Sequence, residues 1–212
     1  MKAHLWWIVP AAFAVAALAA PAAGAHGGHG GLGGLLGGRS CASGGTQVFS
    51  SWGDDGYYNS APNGGFESGS TGWTLRGGAQ VVSGNEPFLR TGGHSLSLPS
   101  GSSATTPVIC LGRNDPYIRF FGSDAGGTDA GLHVRVVWYG LLNIVLGVTD
   151  VNTYGGGGGW NPLDRLRSSG GGDVLIPLLG STSARVEFTP VGSGSRWQLD
   201  DVYVDPRIAR IG

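Results

Sequence analysis

Apolar and polar residues alternate over short runs along most of this chain. In Leu132–Tyr139 one phase is Leu132, Val134, Val136 and Trp138, and the other is His133, Arg135, Val137 and Tyr139. In Ala184–Thr189, Val186 and Phe188 share one phase, while Arg185, Glu187 and Thr189 share the other. Around Tyr117–Phe121, Ile118 and Phe120 oppose Arg119 and Phe121. Successive side chains of a strand point to opposite faces, so each run predicts a strand with one packed and one wet face. Such runs recur near Gln47–Trp52, Gly65–Glu67, Trp73–Arg76, Gln80–Ser83, Ser95–Leu98, Thr105–Ile109, Tyr117–Phe121, Leu132–Tyr139, Asn143–Val148, Asp173–Pro177, Ala184–Thr189 and Arg196–Val204, separated by clusters of Gly, Asn, Ser and Pro. No segment keeps a 3.6-residue period over ten or more positions, and no long repeat is visible. The pattern predicts an all-β fold, an antiparallel two-sheet β-sandwich.

Composition narrows this further. Glycine supplies 42 of 212 residues, far above the usual share of roughly 7%. It lacks the every-third-position period of collagen, and it weighs against helical folds. A hydrophobic fraction of 41% with a net charge of −1 argues against global disorder. It also argues against nucleic acid as a partner, which calls for a clustered basic patch.

Residues 1–25 read as a secretory signal peptide: Lys2, the apolar run Leu5–Ala20, then the small residues Ala23-Gly24-Ala25. The apolar run is shorter than the roughly 20 residues of a membrane span. No membrane span is therefore expected after cleavage, and the mature chain is expected to be secreted. Residues 26–40, rich in Gly and His, read as a flexible linker. Nothing there fixes His26 and His29 in the geometry a copper chelate needs. Residues 41–206 are expected to form one domain, followed by a short tail, 207–212. An oxidising compartment favours a disulfide between Cys41 and Cys110, stabilising by roughly 4 kcal/mol in the chain-entropy model. Free thiols or an intermolecular bridge are the alternatives.

Three segments carry a resemblance. Asn63-Gly64-Gly65-Phe66-Glu67 followed by Gly72-Trp73, then Gly93-His94-Ser95-Leu96-Ser97-Leu98, then Trp197-Gln198-Leu199-Asp200-Asp201-Val202-Tyr203-Val204 resemble, in order, the opening, an early strand and the closing strand of secreted carbohydrate-binding jelly-roll modules. The resemblance covers the ends of residues 63–204. It implies a β-sandwich of jelly-roll type, with Trp73 and Trp197 in the core. It also implies a structural Ca2+ held where the first and last strands lie side by side, with Glu67, Asp200 and Asp201 at the matching positions. Carboxylates and open backbone carbonyls near Asn63–Gly65 suit an ion that takes six to eight oxygens. The alternative is that these acids cap turns.

Modules of this kind bind glycans through aromatic and polar side chains on a concave sheet or at loop tips. The matching candidates here are Arg119, His133, Arg135, Tyr139 and Glu187 on the wet face. Tyr154 and Trp160 flank Gly155–Gly159, and Trp160 is expected on a mobile loop, either docked back or contacting a partner. The alternative for the wet face is a solvated surface with ion pairs of the Arg135–Glu187 type. Gln47–Tyr58 lies outside the family pattern and is expected to add an edge strand. No nucleophile elbow, HExxH or phosphate loop occurs. Glycoside hydrolysis needs two opposed carboxylates, and Glu187 shows no partner in the alternation. The leading expectation is a non-catalytic binder of a polysaccharide or cell-envelope glycan. A structural or protein-interaction domain of a cell surface or spore coat is the second reading. A lyase using Tyr139, His133 and Arg135, or a hydrolase, is the third.

Overall fold

In a computed structural model the structure describes residues 44–111, 117–127, 129–139, 143–155, 158–167 and 182–205. The expected signal peptide, the linker, Cys41, the strand at 173–177 and the tail lie outside these residues. The Cys41–Cys110 pairing therefore lies only half within them, at Cys110. Among the described residues no helix is long and apolar enough to cross a membrane.

Thirteen strands are described: β1 (Asn59–Ser60), β2 (Thr74–Arg76), β3 (Gln80–Ser83), β4 (His94–Pro99), β5 (Ser103–Thr105), β6 (Ile109–Leu111), β7 (Tyr117–Asp124), β8 (Gly131–Tyr139), β9 (Val145–Gly155), β10 (Trp160–Pro162), β11 (Leu166–Arg167), β12 (Thr182–Val191) and β13 (Arg196–Asp205). They form two antiparallel sheets. The first runs β10-β7-β13-β4-β3, with β1 also on β13 and β11 also on β7. The second runs β2-β5-β12-β8-β9, with β6 also on β12. The all-β, two-sheet antiparallel sandwich expected from the alternation is present.

The apolar phases meet between the sheets. Leu96, Leu98, Ile118, Phe120, Val134, Val136, Val186, Phe188 and Leu199 are fully buried there. Phe120 meets Phe188 edge to face, with ring centroids 5.1 Å apart, and Trp73 and Trp197 join the same core. Trp138 is also buried, and its indole N–H donates to the Thr149 hydroxyl at 3.0 Å, which satisfies the polar end of a buried ring.

The last strand slips phase at Asp200-Asp201. Trp197 and Leu199 face the core, and a bulge between Asp200 and Tyr203 lets Val202 and Val204 face it again. Asp201 takes the left-handed conformation, φ 48°, which Asp and Asn adopt more readily than most residues. The extra residue leaves both acids off the core side.

Several elements differ from expectation. Gln47–Trp52 is no edge strand. It is a turn followed by a 3-10 turn at Ser50–Trp52, and only Thr46 and Tyr58 make a bridge. Gly65–Glu67 is turn rather than strand, because Asn63 and Phe66 hold positive φ. The run Thr105–Ile109 is two strands, divided at Pro107, whose ring removes the backbone donor a continuous strand needs. β9 runs on to Gly155, past the expected end at Val148.

Candidate functional site

The outer faces of the two sheets have opposite fates. On the first sheet, Phe121 projects outward from β7 and is fully buried beneath Phe49 and Tyr58. Phe49 packs on Phe121 and Tyr203 with centroids 5.3 and 5.6 Å apart. Phe88 stacks on Phe121 at 5.5 Å. The segment Gln47–Tyr58 is thus a strap across the first sheet, closed by paired hydrogen bonds between Thr46 and Tyr58 at 3.0 and 2.9 Å.

The strap is fixed by a buried ion cluster. Oδ2 of Asp54 accepts from the Tyr58 hydroxyl and from Nη1 of Arg119, both at 2.7 Å. Its Oδ1 accepts from Gly56 N at 3.0 Å and lies 3.3 Å from Nη1 of Arg165. Nε of Arg119 donates to the Leu163 carbonyl at 3.0 Å, and its guanidinium sits 4.3 Å above the Phe49 ring. The Arg119 and Asp54 side chains are only 7% and 4% exposed. Burial pushes the Asp54 carboxyl upward, but bonds from Tyr58, Gly56 and Arg119, with the charge of Arg165, outweigh it and hold the carboxyl below its usual value. Burial and the Asp54 carboxylate push the Tyr58 phenol well up, so it stays a donor. Arg119 was expected on a wet face beside His133. It lies instead on the other sheet, beneath the strap.

Two further expected contacts are placed elsewhere. Tyr154 is in the core, edge-on to Phe120 at 5.8 Å, with its hydroxyl donating to the Asp164 carbonyl at 2.7 Å. Trp160 takes the docked-back alternative rather than a free loop: it opens β10, pairs with Ser123 and packs half-buried against the strap cluster.

The outer face of the second sheet is open among the described residues and brings the remaining candidates together. Thr74, Thr105, Glu187, Arg135 and Asp150 are successive cross-strand partners over β2, β5, β12, β8 and β9. At about 4.8 Å per strand this row spans about 19 Å. One step along, Arg76 faces Ser103 and Thr189 faces His133. In the other direction Arg185, Val137 and Val148 form a line, then Ser183, Tyr139 and Val145. Nε of Arg135 donates to Oε2 of Glu187 at 2.6 Å, and the Glu187 carboxylate raises the guanidinium's affinity for its proton. Nε2 of His133 lies 3.1 Å from Oδ1 of Asp150. A guanidinium has five donors, so a bond through Nε leaves others available. Tyr139 is half-buried at the end of the face, next to exposed Val145 and Ile144.

Of the expected metal ligands, Asp200 and Asp201 are adjacent on β13, and Glu67 is engaged by Gly93 and His94. Glu67 Oε1 accepts from the backbone N–H groups of Gly93 and His94 at 2.8 and 2.9 Å, and its Oε2 contacts Nδ1 of His94 at 3.1 Å. The bonds from Gly93 and His94 hold its carboxyl below the usual value. Asp200 is fully buried, its Oδ2 accepting from Glu86 N at 3.1 Å and its Oδ1 from Asp201 N at 2.8 Å. Asp201 accepts from the Thr91 hydroxyl at 3.3 Å. The Asn63–Gly65 turn presses on the pair: a Cβ on Gly65 would stand 2.9 Å from Oδ1 of Asp201. Burial, with added repulsion from Asp201 and Glu86, pushes the Asp200 carboxyl up to about 8. Burial, then the Glu86 and Glu67 charges, push Asp201 up to about 6. Among the described residues neither acid has a cationic partner. No three or more His, Cys, Asp or Glu there are arranged as a metal site. The oxygen-only chemistry of the pair suits calcium, while the nearby Glu86 carboxylate accepts from the Phe88 and Leu89 N–H groups.

The sequence signalled His133, Arg135, Tyr139 and Glu187 through alternation. It gave no sign of Asp150, beyond the expected end of its strand, or of Asp54, whose ion-pair partner Arg119 is 65 residues away.

No protein-family model matches the chain, and no curated protein matches it. Solved structures similar to it include a family 61 carbohydrate-binding module in complex with β-1,4-galactotriose, 16% identical, with a TM-score of 0.47 over 70% of this chain and 99% of that one. Another is the CBM22-1 xylan-binding domain from Paenibacillus barcinonensis, 19% identical, with a TM-score of 0.45 over 72% of this chain and 94% of that one. A third is the CBM28 module described as specific for non-crystalline cellulose, 14% identical, with a TM-score of 0.44 over 70% of this chain and 96% of that one. All three are carbohydrate-binding modules of β-sandwich fold.

Proposed function

We propose that this chain is an exported, non-catalytic carbohydrate-binding protein whose ligand lies across the outer face of the second sheet. The observation that supports it most is the contrast between the two outer faces. One is sealed by an aromatic strap, and the other presents a row of hydroxyls and charged groups across five strands. Sugar hydroxyls are donors and acceptors at once. Thr74, Thr105, Glu187 and Arg135 offer both kinds of group in one line, and the Arg135–Glu187 pair holds its two side chains in place before a ligand arrives, which lowers the ordering cost of binding. Tyr139 supplies an aromatic surface for the C–H face of a ring.

The same proposal includes a Ca2+ at Asp200 and Asp201. Two buried carboxylates without a cation are costly, and a divalent ion on their oxygens would remove that cost. The chemistry such an ion supplies is structural: it would join the closing strand to the Asn63–Gly65 turn.

Retention on insoluble polysaccharides tests the main proposal. Tyr139→Ala and Arg135→Gln are each expected to weaken retention about tenfold, which corresponds to about 1.4 kcal/mol. Trp160→Ala, on the sealed side, is expected to leave it unchanged. Binding to no glycan, or equal retention of all three variants, contradicts the proposal. Exposed Ile144, Val145 and Val148 favour a second reading, a protein partner at that end of the face. It predicts crosslinking to one protein with no competition by sugars.

A further inference from the structure

We propose that the glycan taken by the open face is anionic, a polysaccharide whose rings carry carboxylates. This rests on the carbohydrate-binding reading above and specifies its substrate class.

The inference comes from the charges left over on that face. Its acids are Glu187 and Asp150, and both are engaged: Glu187 with Arg135 at 2.6 Å and Asp150 with His133 at 3.1 Å. Arg76 and Arg185 remain. Neither forms an ion pair among the described residues. Arg76 is exposed at the β2 edge, and Arg185 is half-buried on β12 with Nη1 donating to the Thr106 carbonyl at 3.4 Å. They stand on either side of the hydroxyl-bearing Ser103 and Thr105. From Arg76 to Arg185 is two strands across and four residues along, about 17 Å between Cα atoms by strand geometry. Two carboxylates on separate sugars of one chain can meet two such sites.

The rest of the domain sharpens the contrast. The other strand acids, Asp124, Asp200, Asp201 and Asp205, all belong to the first sheet. Asp54 and Glu86 are buried on that sheet's outer side, and Asp54 holds Arg119 and Arg165 there. By strand charges the second sheet carries Arg76, Arg135 and Arg185 against Asp150 and Glu187, whereas the first carries Arg119, Arg167 and Arg196 against Asp124, Asp200, Asp201 and Asp205. That balance, net positive on the second sheet and net negative on the first, favours an anion at the open face over the first sheet. The guanidinium fork matches a carboxylate in bidentate geometry, which a neutral glycan does not use.

Calorimetry of the full chain with short oligogalacturonates, with their methyl esters and with neutral xylo-oligosaccharides tests this. The free acid is expected to bind about tenfold more tightly than its ester, in line with one charged hydrogen bond. Its affinity is expected to fall as NaCl is raised from 50 to 500 mM. Arg76→Gln and Arg185→Gln are each expected to remove most of the preference for the acid, with melting temperatures at the wild-type value. A sulfated oligosaccharide of equal length separates the anion classes: tighter binding to it than to the uronate overturns the carboxylate assignment. Equal affinity for acid and ester, with no salt dependence, overturns the inference and leaves carbohydrate binding standing. Affinity for none of these sugars removes both.

Discussion

Arg119→Ala is expected to lower the melting temperature by about 6–20 °C. The substitution leaves Asp54 buried with a weaker set of partners, and breaking a buried ion pair costs about 3–5 kcal/mol. For a domain of this size, each kcal/mol moves the midpoint by about 2–4 °C. The guanidinium also bonds Leu163 and covers Phe49, so its loss frees the strap as well as the charge. The double variant Asp54→Leu with Arg119→Met is expected to recover most of the loss, because replacing both partners removes the unpaired charge. Thermal melts followed by circular dichroism give the comparison. A change below about 1 kcal/mol for Arg119→Ala would show that the cluster does not hold the strap. Because the Asp54 carboxyl is held below its usual value, its contribution is present above the unfolded value, near 4, and is lost as pH falls through the folded one.

The second large effect has the opposite sign. Asp200 and Asp201 are pushed up from 3.8 to about 8 and about 6. Folding then favours their protonated forms, so the stability they contribute is complete below about pH 4. It declines as pH rises and is gone above about pH 8. In chelator, the loss between pH 4 and 8 is on the order of 5 kcal/mol, or about 10–20 °C in melting temperature. Asp200→Asn is expected to flatten much of this slope. Calcium is expected to restore the melting temperature at pH 8 and to do little at pH 4, where the carboxyls hold protons. A melting temperature in chelator that is flat or rising from pH 4 to 8 would contradict the raised values. One that ignores added calcium at pH 8 would remove the proposed ion.

The layers of the fold were legible because alternation is a local signal. Val134, Val136, Val186 and Phe188 occupy the core phase that their spacing predicts. The break in phase at Asp200-Asp201, where the bulge lies, was not read. What could not be read was the assignment of strands to sheets. Arg119 alternates with Ile118 and Phe120 just as Arg135 does with Val134 and Val136, but β7 and β8 belong to different sheets. The covering of one outer face also depends on long-range packing. Phe49 and Tyr58 meet Phe121 over more than sixty residues of sequence. A run of aromatics such as Gln47–Tyr58 therefore suggested an edge strand where the chain forms a strap. Trp160 was read from its glycines alone, and pairing of β10 with β7 decided its place.

The account depends on one face being open to a ligand and the other sealed. Hydrogen exchange with and without a saturating oligosaccharide, resolved by peptide, tests this most directly. Ligand is expected to slow exchange in β8, β9 and β12, around Arg135, Asp150 and Glu187, and to leave the strap and β7 unchanged. Protection confined to Gln47–Tyr58, β7 or β10 would contradict it.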